Sequence, residues 1–133
     1  MKTLAGLNVL LVEDEFLIAL DAEEMLRELG AASVTVASTF ESAQKVVAEQ
    51  KFDLAILDVN LNGRKSFPLA DQLLERGTPV VFGTGYNLLA RQMDGYEAGV
   101  CVTKPYTTTS LQRSLTAVLK AKAAAVGAAA PGD

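Results

Sequence analysis

Short apolar runs alternate with longer amphipathic segments along the chain. The runs have the length and the β-branched content of strands, and they cover residues 9–12, 34–37, 54–57, 80–82 and 100–103. Most of them are apolar at every position, whereas a strand with one face in water alternates apolar and polar residues. Continuous apolar runs are typical of strands that are buried on both faces of a parallel sheet. The pattern therefore predicts five such strands.

The segments between the runs repeat apolar residues every three or four positions, which is the period of an amphipathic helix. The apolar stripes are Ile18, Ala22, Met25 and Leu29; Ala43, Val46 and Val47; Ala70, Leu73 and Leu74; Leu88, Leu89 and Met93; and Leu111, Leu115, Val118 and Leu119. Ser38 or Thr39 is a suitable N-cap for the second helix, and Gly30 can end the first. Five strand-then-helix units predict an α/β domain with a doubly wound, five-stranded parallel sheet and helices on both faces.

The chain of 133 residues is long enough for one domain with a well-covered core. We predict that this domain covers residues 5–122 and that residues 123–133, which are rich in Ala, Gly and Pro, form a flexible tail. The apolar start does not resemble a signal peptide, because Gly6 and Asn8 interrupt it and acidic residues follow it. No apolar stretch approaches the roughly 20 residues that span a bilayer. We therefore expect a cytoplasmic protein without a membrane segment.

Charge and composition exclude several classes of function. The net charge is −4 and no cluster of Lys and Arg occurs, so the chain lacks the basic surface that nucleic-acid binding requires. It contains no histidine and a single cysteine, Cys101. This composition excludes Ser-His-Asp hydrolysis, His-ligated zinc and a disulfide framework. Any chemistry must therefore use carboxylates, hydroxyls, lysine and a bound ion.

Polar side chains follow four of the five predicted strands. They are Glu13, Asp14 and Glu15 after the first strand, Asp58 after the third, Thr84 after the fourth and Lys104 after the fifth. The carboxyl ends of parallel strands meet at one edge of a sheet, where open α/β domains bind their ligands. Carboxylates gathered there repel one another unless a cation lies between them, and oxygen donors of this kind suit Mg²⁺. Asp58 is then placed to act as a nucleophile, with Lys104 and Thr84 available for the oxygens of a phosphoryl group.

Each of these residues also has an ordinary structural explanation. Asp14 is a suitable helix N-cap, Thr84 lies between two glycines that favour a turn, and Lys104 is compatible with a solvated surface charge. The functional interpretation depends on all of them occurring together at one sheet edge.

Four segments of the chain, in this order, resemble CheY-type receiver domains of two-component signalling systems. They read VLLVEDE at residues 9–15, DLAILDVNL at 53–61, VVFGTG at 80–85 and VTKP at 102–105. The resemblance implies a flavodoxin-like fold with strand order 2-1-3-4-5 and a cis peptide bond before Pro105. It further implies the following roles: Asp58 as phosphoacceptor, Glu13, Asp14, Asp58 and the backbone carbonyl of Asn60 as Mg²⁺ ligands, and Thr84 and Lys104 as contacts of the phosphoryl group.

A narrower resemblance concerns residues 82–86, which read FGTGY. They are similar to the F-A-T-G-[GY] motif of single-domain receivers called FATGUY, with Gly83 in the place of the usual alanine. This resemblance implies a stand-alone receiver whose phosphodonor is a histidine kinase, including the HWE type, or a phosphotransfer protein. It also implies a downstream protein target at the surface that follows the fourth and fifth strands. Whether the chain forms a homodimer stays open.

One position departs from the family pattern. CheY-type receivers carry an aromatic switch residue three positions before the lysine, and this chain has Cys101 there. We predict that Cys101 packs in the core and that Tyr86 acts as the mobile ring together with Thr84. Gly83 and Gly85 are expected to give the loop around Thr84 unusual backbone freedom.

Two other functions remain as alternatives. The first is a pseudo-receiver that binds proteins without being phosphorylated. The second is a flavodoxin-type protein that binds FMN at the same sheet edge. The acidic residues Glu13, Asp14 and Glu15 disfavour the second alternative, because an anionic loop repels the phosphate of FMN.

Overall fold

A computed structural model describes residues 3–85 and 101–129 of the chain. The strands are β1 (Asn8–Val12), β2 (Ser33–Ala37), β3 (Leu54–Asp58), β4 (Asn60–Leu61), β5 (Arg64–Lys65), β6 (Val80–Thr84) and β7 (Cys101–Thr103). The helices are α1 (Phe16–Glu28), α2 (Phe40–Glu49), α3 (Phe67–Glu75) and α4 (Thr108–Ala129). The predicted helix with Leu88, Leu89 and Met93 lies outside the described residues, as does Tyr86.

Five strands form one parallel sheet in the order β2-β1-β3-β6-β7. This order confirms the predicted 2-1-3-4-5 arrangement, with β6 and β7 as the fourth and fifth strands of the sheet. The pairing register places Asp58 of β3 beside Gly83 of β6, and Thr84 beside Thr103 of β7. The carboxyl ends of the central strands therefore lie side by side at one edge.

Side chains of the central strands alternate between two hydrophobic clusters, one on each face of the sheet. On β1, Val9 and Leu11 pack with α1 and α4, whereas Leu10 and Val12 pack with α2 and α3. All four side chains are buried. This arrangement confirms helices on both faces and explains why the strand sequences are apolar without interruption.

The ends of the domain differ in detail from the predicted boundaries. Leu4, one residue before the predicted start, is fully buried, and its N–H donates to the Leu29 carbonyl at 2.8 Å. Helix α4 continues to Ala129 and so passes the predicted start of the tail at residue 123. The flexibility of the tail stays a prediction. Among the described helices, none combines the length and the apolar character that crossing a bilayer requires.

A two-stranded antiparallel hairpin, β4 with β5, follows the central strand β3. Its turn residues Asn62 and Gly63 have φ angles of +51° and +86°. Hairpin turns with two residues at positive φ favour Asn-Gly, because these residues tolerate the left-handed region. The hairpin lies directly beside the edge at which β3 ends, and its turn therefore reaches the polar residues there.

Candidate functional site

Three carboxylates converge at the carboxyl edge of the sheet. Glu13 and Asp14 follow β1 and Asp58 ends β3, and an oxygen atom of each lies within 4.8 Å of one of the others. Glu13 and Asp58 are only 1% and 5% exposed. Asp14 and Asp58 also line an open cleft of about 330 Å³, together with Asn60 and Lys104. The structure thus brings together the acidic residues that the sequence placed at this edge.

Lys104 bridges two of the carboxylates. Its Nζ donates to Glu13 Oε1 at 2.9 Å and to Asp58 Oδ2 at 3.0 Å. Desolvation acts to lower the pKa of Lys104, but these two charge-assisted hydrogen bonds outweigh it and the pKa is raised. The backbone N–H of Lys104 donates to the Thr84 carbonyl at 2.9 Å, and the Lys104–Pro105 peptide bond is cis, as the resemblance implied. Lys104 is therefore a fixed positive charge beside the Asp58 carboxylate.

Burial is the largest influence on the pKa values of Glu13 and Asp58. Desolvation raises the pKa of Glu13 to about 7, against the hydrogen bond from Lys104, and the neighbouring charge of Asp58 adds to the increase. Desolvation also raises the pKa of Asp58, although Lys104 and the N–H of Asn60 oppose it. Both carboxylates therefore hold a proton more readily than they would in water.

The pKa of Asp14 is shifted in the opposite direction, to below its ordinary value. Desolvation, the largest single influence, acts to raise its pKa, but hydrogen bonds with the Asp58 carboxyl and from Asn62 N–H outweigh it and lower the pKa. The Asn62 N–H donates to Asp14 Oδ2 at 3.0 Å. The N-cap of α1 is Glu15, so Asp14 does not cap this helix. Asp14 and Asp58 offer oxygen atoms within 4.8 Å of each other, so two carboxylates face one another at this edge.

These residues fit a divalent cation. Three carboxylates and one ammonium leave two negative charges, and all the acidic side chains provide oxygen donors, which hard cations prefer. Asn60 belongs to the same cleft, and its N–H donates to Asp58 Oδ1 at 3.2 Å. A cation at this position would offset the repulsion between the three carboxylates.

Residues 9–116 match the family described as response regulator receiver domain. The chain belongs to this family. It is 34% identical over 108 residues to the transcriptional regulatory protein PdtaR of Mycobacterium tuberculosis, and the alignment covers 78% of this chain and 52% of PdtaR. It is 32% identical over 112 residues to the sensory transduction protein LytT of Bacillus subtilis, which covers 82% of this chain and 46% of LytT. The receiver thus spans about half the length of these relatives.

Solved structures show the same fold. The solution structure of SdrG from Sphingomonas melonis is 35% identical, covers 90% of this receiver and 99% of the SdrG chain, and superposes with a TM-score of 0.70. The anti-anti-sigma factor PhyR from Bartonella quintana is 26% identical, covers 93% of this receiver and 51% of PhyR, and gives a TM-score of 0.78.

Thr84 and Cys101 lie on the neighbouring strands β6 and β7 of the receiver. Thr84 is buried at the end of β6, and its hydroxyl donates to the Gly85 carbonyl over a long 3.4 Å. Cys101 pairs with Phe82 across the strands and is half-buried against the core on the α2 and α3 face, which confirms the predicted packing. Desolvation raises the pKa of its thiol. The predicted switch role of Tyr86 falls on a residue outside the described ranges.

Two residues near the site of the receiver were not predicted as site residues. Asn62 holds Asp14 through its N–H, and the Asn-Gly dipeptide was the signal for the turn that places it there. Tyr106 is only 6% exposed and packs against the core on the α1 and α4 face. Gly83 corrects another expectation, because it lies within strand β6 without a positive φ and does not belong to a loop with unusual freedom.

We expect the metal-free receiver to lose stability as the pH rises from about 4.5 to about 7. The folded state binds the Glu13 proton with a pKa of about 7, compared with 4.5 for an exposed Glu, so it holds more protons than the unfolded state within this window. The free energy of unfolding should fall by about 3 kcal/mol across the window. Urea unfolding in EDTA at a series of pH values measures this change.

The matched variant for this experiment is Glu13→Gln, which keeps the size of the side chain and an oxygen acceptor for Lys104. Its unfolding free energy should be flatter over the same pH window. Parallel curves for the variant and the native chain would show that Glu13 does not carry the pH dependence.

Proposed function

We propose that this receiver accepts a phosphoryl group on Asp58 from a phosphohistidine of a histidine kinase or a phosphotransfer protein. The observation that carries the proposal is the Lys104 ammonium bonded to both Glu13 and Asp58 inside the three-carboxylate cluster. A pseudo-receiver that only binds proteins has no need for a buried ammonium and three convergent carboxylates beside an open cleft. A flavodoxin-type site is disfavoured, because the excess negative charge repels the phosphate of FMN.

In the proposed reaction an oxygen of Asp58 attacks the phosphorus of the phosphohistidine. A P–O bond forms and the P–N bond to the imidazole breaks, with its electron pair left on the nitrogen, which takes up a proton. The Lys104 ammonium and the Thr84 hydroxyl are the donors for the phosphoryl oxygens. Asp14, Glu13, Asp58 and the Asn60 carbonyl would hold Mg²⁺, which would supply positive charge for these oxygens.

The start of α1 supports docking of the phosphodonor beside the cleft. Phe16 and Leu17 are 75% and 72% exposed, and Leu20 is also exposed, although all three are large apolar side chains. Glu15 and Ile18 of the same turn line the cleft that contains Asp58. An exposed apolar surface next to an acceptor carboxylate suits a protein donor better than a small molecule.

The remaining partners are part of the same proposal. The motif FGTGY at residues 82–86 supports a FATGUY-type receiver with an HWE-type kinase as donor. The match to 99% of the SdrG chain supports a single-domain receiver. The proposed place of action is the cytoplasm. The phosphorylated receiver would then act on a downstream protein through the surface after β6 and β7. A second copy of the chain is another candidate for that surface, and nucleic acid is not.

The test is the intact mass of the protein after incubation with acetyl phosphate and Mg²⁺, with EDTA as the control. We expect a single phosphoryl adduct that EDTA prevents. If no adduct forms and beryllofluoride also fails to bind in Mg²⁺, the pseudo-receiver function takes the place of this proposal.

A further inference from the structure

Tyr106 carries a buried hydroxyl that forms no hydrogen bond. The ring packs among the core residues on the α1 and α4 face, and its hydroxyl oxygen has no hydrogen-bond partner. Among the described residues, only Ser66 shares this property of a buried side-chain oxygen without a partner. Burying a hydroxyl without a partner costs free energy that the same group regains in contact with water. The inward position of Tyr106 is therefore less stable than its packing alone suggests.

The inward position exists because residue 83 is a glycine. A Cβ added at Gly83 would overlap the Tyr106 hydroxyl and lie 2.7 Å from Cζ and 3.1 Å from Cε1 of the ring. The φ angle of Gly83 does not require glycine, so space and not backbone conformation explains this residue. The alanine that FATGUY receivers carry here would occupy the place of the hydroxyl. Gly83 and Tyr106 are thus complementary in shape.

Two features connect the Tyr106 ring with Asp58: the backbone pairing of Gly83, and the electrostatic effect of Asp58 on the Tyr106 hydroxyl. Gly83 is the register partner of Asp58, and the N–H of Val59 donates to its carbonyl at 3.0 Å. Burial, followed by the negative charges of Glu13 and Asp58, raises the pKa of the Tyr106 hydroxyl, which keeps it protonated. A change of charge at Asp58 therefore changes the electrostatic potential at the Tyr106 hydroxyl.

Tyr106 also connects the site to helix α4. It follows Lys104 by two residues, and Lys104 holds the Asp58 carboxylate. Thr107, the next residue, caps α4 by reciprocal hydrogen bonds with Ser110, each of 3.0 Å. Only two residues, Pro105 and Tyr106, separate Lys104 from this cap, so a shift of Lys104 toward a phosphoryl group also moves Tyr106.

On the basis of the proposed phosphorylation of Asp58, we infer that Tyr106 is the mobile switch residue of this receiver. The ring stays inward against Gly83 while Asp58 is unmodified, and it leaves this position when Asp58 carries a phosphoryl group. Its departure gives the hydroxyl access to water and displaces the start of α4. The switch therefore lies on the opposite face of the sheet from Cys101, which occupies the aromatic position of the family.

The inference is tested by ¹⁹F NMR of the full chain labelled with 3-fluorotyrosine. The three tyrosines give three resonances, and the one that Tyr106→Phe removes is assigned to Tyr106. A soluble gadolinium chelate broadens exposed tyrosines, and spectra are recorded in Mg²⁺ before and after the addition of beryllofluoride. We expect a Tyr106 resonance that is protected before the addition and broadened after it. Asp58→Asn should leave the resonance protected in both spectra.

The same spectra separate the two ways in which the inference can fail. Bound beryllofluoride has its own fluorine signal, which reports occupancy of Asp58. A bound signal with an unchanged Tyr106 resonance overturns the switch but leaves the proposed phosphorylation intact. No bound signal, together with no adduct from acetyl phosphate, overturns both, since the switch depends on occupancy of Asp58.

A second experiment uses the shape complementarity of the pair. Gly83→Ala should expose Tyr106 to the chelate without beryllofluoride, because the added methyl group takes the position of the hydroxyl. If this variant does not fold, Gly83→Ala with Tyr106→Leu should restore folding, since leucine lacks the hydroxyl and also the ring atoms Cζ and Cε1 that the added Cβ would meet. A folded Gly83→Ala chain with a protected Tyr106, or a double variant that is no more stable than Gly83→Ala, would contradict the assigned contact.

Discussion

Asp58→Asn is expected to abolish the phosphoryl adduct that acetyl phosphate and Mg²⁺ produce on the native chain. An amide has no negative charge and is a poor nucleophile, so the P–O bond cannot form at this position. The substitution leaves the local frame in place, because the Asn oxygen can still accept the Asn60 N–H and Lys104 keeps its contact with Glu13. Loss of the adduct therefore reports chemistry rather than misfolding.

The matched control is Asp21→Asn, which removes one carboxylate from the exposed surface of α1. This variant should form as much adduct as the native chain. Intact mass after a fixed incubation measures both variants, and thermal unfolding of each confirms that it is folded. An undiminished adduct on Asp58→Asn would move the phosphorylation to another residue and would contradict the proposed role of Asp58.

Much of the sheet could be predicted because a parallel strand buried on both faces leaves a strong pattern. The five apolar runs became the five sheet strands, and the polar residues directly after them met at one edge. Thr39, one of two predicted caps for α2, forms a capping box with Ser42. In each case a short stretch of sequence contains all the residues that produce the local structure.

The buried face of α1 was only partly predicted. The spacing indicated Ile18 and Met25, but Ala19 and Leu26 are the buried residues and the other two are partly buried. The start of α1 is apolar at almost every position, so periodicity alone does not decide which side faces the sheet. Leu74 was also predicted in a buried stripe and is exposed instead. The docking of a helix depends on distant residues that a local pattern does not contain.

The contact between Gly83 and Tyr106 could not be predicted from local sequence at all. The two residues lie on different elements, and what relates them is the volume that a missing Cβ leaves for a hydroxyl. A glycine between apolar residues in a strand indicates a close approach of some group, but the sequence does not say which. For Lys104, the sequence indicated its position after a strand. Its two buried partners, Glu13 and Asp58, were evident only from the structure.

Lys104→Met is expected to lower the free energy of unfolding by roughly 3–5 kcal/mol near pH 8 in the absence of Mg²⁺. The substitution keeps an aliphatic stem but removes the ammonium, so the buried carboxylates of Glu13 and Asp58 lose their compensating charge. The loss should be smaller at about pH 5, where a raised pKa allows Glu13 to be protonated instead. Saturating Mg²⁺ should recover part of the loss, because a divalent cation at the three carboxylates supplies the missing charge.

Urea unfolding with and without Mg²⁺ at both pH values measures the effect of Lys104→Met. Lys120→Met, at an exposed position of α4, is the matched control and should stay within about 0.5 kcal/mol of the native chain. The dependence on pH and metal distinguishes lost charge compensation from lost packing, because a packing defect would persist at pH 5 and in Mg²⁺. An equal destabilisation under all conditions would show that the Lys104 ammonium does not balance the acidic cluster. Its two hydrogen bonds would then contribute to local packing and not to the electrostatics around Asp58.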